Sequence, residues 1–280
     1  DTLLDLHIQT TNHANLFFAE TAARILSVPL MVTIHGMLEF RILDTFGKKY
    51  PTFSRLVEKS IRRAQLVVVA SREIGQEACR RGARRVVTLP GGIDTAWYRP
   101  AQPAPKRKGL LFVGTVRQDK GASLLIQAFE RLSNRIPDHL TFIGTPLLAG
   151  PIMQRAKRNR HIHFVGLKQP AQIRKALQEA QLLVLPSRSE GLSLSVLEAM
   201  ACETPVLAPA AGELPTVIQH GHNGFLVQKR TPRAVADQIL GILLRNDLAQ
   251  IGKRARAATV PFDIRSVVRQ YLSLYRSLIR

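Results

Sequence analysis

Short apolar runs rich in Val, Ile and Leu alternate with helical patterns along the whole chain, and this alternation constrains the fold more than any other feature. A buried strand followed by an amphipathic helix pairs most readily with a parallel neighbour, because the helix carries the chain back across the sheet. In the first part, strands are expected at residues 3–8, 30–34, 66–70 and 85–89, with helices at 15–27, 51–64 and 71–81. Ser71 is placed to cap the last of these helices and Gly82 to end it. The segment RPAQPAPKRKG, residues 99–109, holds three prolines and a basic cluster without periodicity, and reads as a linker. The series then resumes, with strands at 110–113, 140–143, 161–164, 182–185, 205–208 and 224–227. Helices are expected at 122–135, 171–179, 195–201 and 231–244, and an amphipathic helix closes the chain at 264–279.

The fold class is therefore α/β and doubly wound. At about 150 residues per domain, a chain of 280 residues has room for two such units. The expected division is a first Rossmann-like domain with its linker at 1–105, a second at 106–262, and a terminal helix at 263–280 packing back toward the first. Apolar residues make up 45% of the chain, enough to build both cores. The longest apolar stretch, 25–34, is broken by Ser27, Pro29 and Thr33 and is too short to span a bilayer. With no secretory signal at the start and only Cys79 and Cys202, the chain is expected in a reducing compartment, the cytoplasm.

Net charge is +20: residues 1–105 carry 14 Lys and Arg against 9 Asp and Glu, and residues 106–280 carry 26 against 11. Such a field attracts nucleotide diphosphates, anionic lipid and nucleic acid alike. A basic nucleic-acid-binding protein is thus one reading of the charge, but no zinc spacing or aromatic-interleaved basic strand accompanies it, and no specific nucleic acid is expected. The segment 41–65 mixes Phe46, Tyr50 and Phe53 with many cations, a composition that suits a solvated helix face or an anionic membrane surface.

Two motifs carry chemistry. FVGTVRQDKG, residues 112–121, leaves a buried strand through Gly114 and enters a helix after Gly121, so backbone amides and Lys120 converge where an anion could be held. SEGLSLSVLEAM, which follows the strand LLVLP, places Glu190 at the strand's carboxyl edge and Glu198 on the next helix, flanking the amides of Gly191, Leu192 and Ser193. Carboxylates accept hydrogen bonds only, which suits sugar hydroxyls. A competing reading makes Ser195 and Glu198 a capping box at a helix start.

With PGGIDTAWYRP before the linker and FDIRSVVRQYLSLYRSLI at the end, these motifs together resemble the family-4 retaining glycosyltransferases of GT-B architecture, two Rossmann-like domains with a cleft between. The resemblance implies transfer of a hexosyl-type sugar from a UDP-, GDP- or ADP-sugar to a glycan or lipid-linked acceptor, with retention and without a metal cofactor. It implies that Lys120 neutralises the leaving diphosphate, that Glu198 holds the ribose, and that Glu190 with the following amides grips the sugar. His35, in VTIHG, would face the reacting sugar, while Gly114 and Thr115 line the first turn. Thr115 stands where the family commonly has an arginine, which leaves Arg117 as the second cation. The resemblance begins partway into the first domain, so that domain is expected to lack its first strand and glycine-rich loop. An epimerase of the same architecture is the alternative chemistry. Association with the inner membrane face would accompany a lipid-linked acceptor.

Overall fold

A computed structural model describes residues 4–8, 13–35, 40, 44, 51–132 and 139–279. It contains two compact units, Asp1–Gly92 with Ile264–Arg280, and Ile93–Asp263.

The first unit is built on four parallel strands in the order β1-β2-β3-β4: β1 (Leu4–Ile8), β2 (Leu30–Ile34), β3 (Leu66–Val69) and β4 (Val86–Thr88). Among the described residues the connections include α1 (His13–Leu26), α2 (Pro51–Arg63) and α3 (Arg72–Arg80). Ser71 caps α3 as its spacing predicts, its hydroxyl accepting from the Ile74 amide at 3.3 Å. β3 (LVVV) is apolar throughout and β2 is broken only by Thr33, and both are buried along their whole length. Leu30, Val32 and Ile34 enter a core with Ala19, Ala23, Val57, Ile61 and Ile74 from these helices, whereas Met31, Leu66 and Val68 face the other way.

The second unit carries six parallel strands in the order β10-β9-β8-β5-β6-β7. These are β5 (Leu110–Val113), β6 (Leu140–Ile143), β7 (Ile162–Phe164), β8 (Leu182–Val184), β9 (Val206–Pro209) and β10 (Phe225–Val227). Helices α4 (Ala122–Leu132), α5 (Pro151–Arg158), α6 (Pro170–Glu179), α7 (Leu194–Ala201), α8 (Leu214–Val217), α9 (Pro232–Leu243) and α10 (Leu248–Ala258) cover the faces. Phe112, Phe142 and Phe164 sit at matched positions on β5, β6 and β7, with ring centroids 5.1 and 4.9 Å apart, a ladder that holds this half of the sheet in register. The last helix, α11 (Ile264–Ile279), lies in the first unit: Val267, Tyr271, Leu274, Tyr275 and Leu278 close the second face of its sheet against Met31, Leu66 and Val68.

The linker assignment needs correction. Residues 93–105 belong to the second unit, not to the first, because their backbone is stitched to it. The Ile93 amide donates to the Phe262 carbonyl at 2.9 Å, and Gln178 donates to the Arg99 carbonyl at 2.6 Å. Arg107 then spans four acceptors: the carbonyls of Leu177, Ala180 and Cys202, and the Thr204 hydroxyl. The expected helix end at 133–135 and the residues Leu3 and Gly36 lie outside the described residues, as do 41–43 and 45–50 with Phe46 and Tyr50. The rest of that basic segment includes α2, which exposes Arg55, Lys59, Arg62 and Arg63.

Candidate active site

In the six-stranded sheet β5 and β8 are neighbours, yet the chain leaves them in opposite directions, from β5 through α4 to β6 and from β8 through α7 to β9. At such a switch point the two loops diverge and open a crevice at the carboxyl edge of the sheet. The residues singled out in the sequence flank this position: Gly114 to Lys120 follow β5, and Glu190 to Ser193 follow β8.

Backbone contacts bind these loops together. The Arg188 amide donates to the Asp119 carbonyl at 2.8 Å, the Glu213 amide to the Gly191 carbonyl at 2.9 Å, and the Val116 amide to the Thr145 carbonyl at 2.9 Å. Two glycines permit the closest approaches. A Cβ on Gly121 (φ +78°) would lie 2.1 Å from the Pro186 carbonyl oxygen, and one on Gly212 (φ +60°) would lie 2.0 Å from that of Glu190. Neither position tolerates a side chain without moving the β8 loop.

Across the crevice Lys120 Nζ lies 2.9 Å from Glu190 Oε1, in a pair whose carboxylate side chain is only 8% exposed. The cation of one motif and the carboxylate of the other, 70 residues apart in sequence, thus form a single charged centre. An anion entering here would compete with Glu190 for the ammonium and free the carboxylate to accept hydroxyls. Beside it, α7 starts at Leu194, with Ser193 as N-cap and no side-chain hydrogen bond at the cap. With no side chain bonded at the cap, the positive dipole end of the helix favours an anion here.

This geometry corrects the capping-box reading. Ser195 is the second residue of α7 rather than its cap, and its hydroxyl lies 3.1 Å from that of Ser193. Glu198 is hydrogen bonded to the Tyr98 hydroxyl, and burial pushes its pKa above the usual carboxylate range, a rise the tyrosine partly offsets. Burial, with the nearby Glu198 charge, raises Tyr98 in turn. At the end of the same helix, burial pushes the Cys202 thiol up to about 12.

Arg117 is paired in bidentate fashion with Asp119, Nε to Oδ1 at 2.8 Å and Nη2 to Oδ2, which holds Asp119 below its usual range. Its positive charge is thus matched within its own loop, though it also acts on Glu190. The sequence reading missed three further groups here. Arg230 donates from Nη1 to the carbonyls of Pro186 and Ser187 and feels the like charge of Arg188, so the site carries more positive charge than Lys120 alone supplies. Arg188 could have been noticed two residues before Glu190, whereas nothing in the local pattern marks Arg230 or Tyr98. His35 follows β2 directly in the first unit and is exposed; His7 lies within β1, in register with Thr33. Among the described residues no group of three or more His, Cys, Asp and Glu is spaced to hold a metal ion, and no helix is long and apolar enough to cross a membrane.

Two family models match the chain: "Glycosyltransferase Family 4" over residues 5–97 and "Glycosyl transferases group 1" over residues 107–245. An N-acetyl-alpha-D-glucosaminyl L-malate synthase of Bacillus anthracis is 26% identical over 270 residues, covering 90% of this chain and 69% of the relative. A D-inositol 3-phosphate glycosyltransferase of Xylanimonas cellulosilytica is 30% identical over 267 residues, covering 85% and 62%. The chain thus spans roughly two thirds of the length of such relatives. Anabaena HepE, solved in complex with UDP-glucose, superposes with a TM-score of 0.80 at 20% identity, covering 98% of this chain and 79% of that one. At that identity the likeness establishes the shared GT-B fold.

Proposed function

Since the chain belongs to the group 1, family 4 glycosyltransferases, we propose that it transfers a hexosyl-type sugar, with retention, from a nucleoside-diphosphate sugar to a glycan or lipid-linked acceptor. The observation that carries this reading is the Lys120–Glu190 pair at the β5/β8 switch point, beside the uncapped start of α7. Breaking a sugar–phosphate bond builds negative charge on the departing diphosphate, and preorganised cations and amides aimed at that charge lower the barrier. Lys120 and the amides of Leu192 to Leu194 take this role, with Gly114 and Thr115 lining the first turn and Arg117 contributing at longer range. No metal ion is required in this scheme, and chelation by EDTA should leave the rate unchanged. Glu190, with the Gly191 amide, receives sugar hydroxyls once the ammonium turns to phosphate. Glu198 receives the ribose, Tyr98 holding its carboxylate in place, and His35 is assigned to the reacting sugar.

Relatives support the donor class: HepE was solved with UDP-glucose, and the B. anthracis relative is named for glucosaminyl transfer. We take a UDP-hexose as the first donor to test, with GDP- and ADP-sugars beside it. Thermal shift across that panel should single out one base, and NMR of the product made from the stabilising donor should show the donor's anomeric configuration kept. No stabilisation by any nucleotide sugar, or an inverted product, would reject the proposal. For a lipid-linked acceptor the cations of α2 would meet an anionic membrane surface, placing the protein at the cytoplasmic face.

A further inference from the structure

A second basic cavity lies within the second unit, away from the loops after β5 and β8. It measures about 690 Å³ and is lined by Arg99, Gln102, Arg174, Gln178 and Arg256, together with Pro100 and Ala101. Arg256 marks its position: Nη1 donates to the carbonyl of Ala201, the last residue of α7, and to that of Tyr98. The candidate donor amides are at the other end of this helix, about 12 Å away at 1.5 Å per residue.

Three guanidinium groups share this wall with no carboxylate among its lining residues. Their charges repel one another, so the arrangement persists only because other contacts fix it. Arg174 stacks on the Trp97 ring, its guanidinium carbon 4.0 Å from the centroid, and reaches the Trp97 carbonyl at 3.4 Å. Gln178 holds the Arg99 carbonyl, and Arg256 holds those of Ala201 and Tyr98. All these acceptors are neutral. Those bound by Arg174 and Arg256 orient these two guanidinium groups without compensating their charge, and a guanidinium has more donors than these contacts use. A planar fork of donors fits phosphoryl oxygens in pairs, and the volume falls within the range of small-ligand pockets, about 300–1,000 Å³.

We infer that this cavity is a binding site for a small phosphate-bearing anion, distinct from the Lys120–Glu190 centre. The ligand is free phosphate or a phosphate monoester; both present the same oxygens to the arginines.

The test uses the full chain carrying Lys120→Ala, which disables the donor centre, titrated calorimetrically with inorganic phosphate and separately with a hexose phosphate. Saturable binding should remain, and adding Arg174→Gln or Arg99→Gln should weaken it about tenfold, the loss of one charge-assisted contact. Arg256→Gln is avoided because that side chain also anchors the end of α7. Arg233→Gln, on a side chain 86% exposed on α9, is the control for diffuse charge and should change nothing. Tighter binding of the hexose phosphate would identify the ligand as a monoester, and equal binding would identify it as phosphate itself. Absence of saturable binding in the Lys120→Ala chain, or equal weakening by all three arginine substitutions, would overturn the inference.

Discussion

Lys120 and Glu190 neutralise each other at 2.9 Å, so a substitution at either changes the state of both. Lys120→Ala removes the cation facing the leaving group; at about 1.5–3 kcal/mol for a charge-assisted contact, turnover should fall some 10- to 100-fold, measured as nucleoside diphosphate release under saturating donor. Glu198 carries a different signature. Its pKa is raised by burial, so the native state keeps this proton to higher pH than the unfolded chain does. Its contribution to stability is present in full below the ordinary glutamate range and is lost as pH rises through the raised value. Glu198→Gln should therefore melt at a higher temperature than the parent near pH 7 while binding donor more weakly, and the two melting curves should converge toward pH 4. Identical melting temperatures at both pH values would show that the Glu198 carboxyl is not perturbed. Lys120 and Glu190 were legible in the sequence because each sits in a short motif at a strand end. Tyr98 was not, since a tyrosine before a proline-rich segment carries no sign of the carboxylate it will meet 100 residues later.

At the level of elements, the loops are shaped by backbone approach more than by side chains. Gly212→Ala would thrust a Cβ to 2.0 Å from the Glu190 carbonyl at a φ of +60°. Strain of this kind costs about 1–3 kcal/mol, and relieving it displaces the loop that carries Glu190. Donor binding should be lost together with stability, whereas Gly241→Ala in α9, where a Cβ meets nothing within 4 Å, should stabilise by about 0.5–1 kcal/mol. Chemical denaturation of the two variants checks both signs. Strands and most helices were readable because apolar runs and amphipathic stripes follow directly from burial. The α5 helix was not, since only Met153 and Ala156 of its eight residues are buried and the remainder reads as a basic loop. The capping-box reading set the cap of α7 two residues late, at Ser195, because Ser193 and Ser195 are equally plausible caps in sequence, and the β8 loop decides between them.

On the scale of the whole molecule, the net charge of +20 governs encounters more than stability. Vesicles containing anionic lipid should co-sediment the protein at low salt and release it as ionic strength rises; equal binding to neutral vesicles would remove the electrostatic argument for a membrane surface. Two α/β units could be read from the alternating pattern, but their boundary could not. Proline-rich composition suggests a free linker, whereas the hydrogen bonds of Ile93, Trp97, Tyr98 and Arg99 with the second unit fasten residues 93–105 to it. The central claim is that the β5/β8 crevice holds a diphosphate through Lys120. It is tested most directly by calorimetric titration of a nucleoside diphosphate and the matching monophosphate into the parent chain and Lys120→Ala. The account predicts that the diphosphate binds the parent at least about tenfold more tightly than the monophosphate, and that this advantage collapses in the variant. An advantage that survives the loss of Lys120 would contradict it.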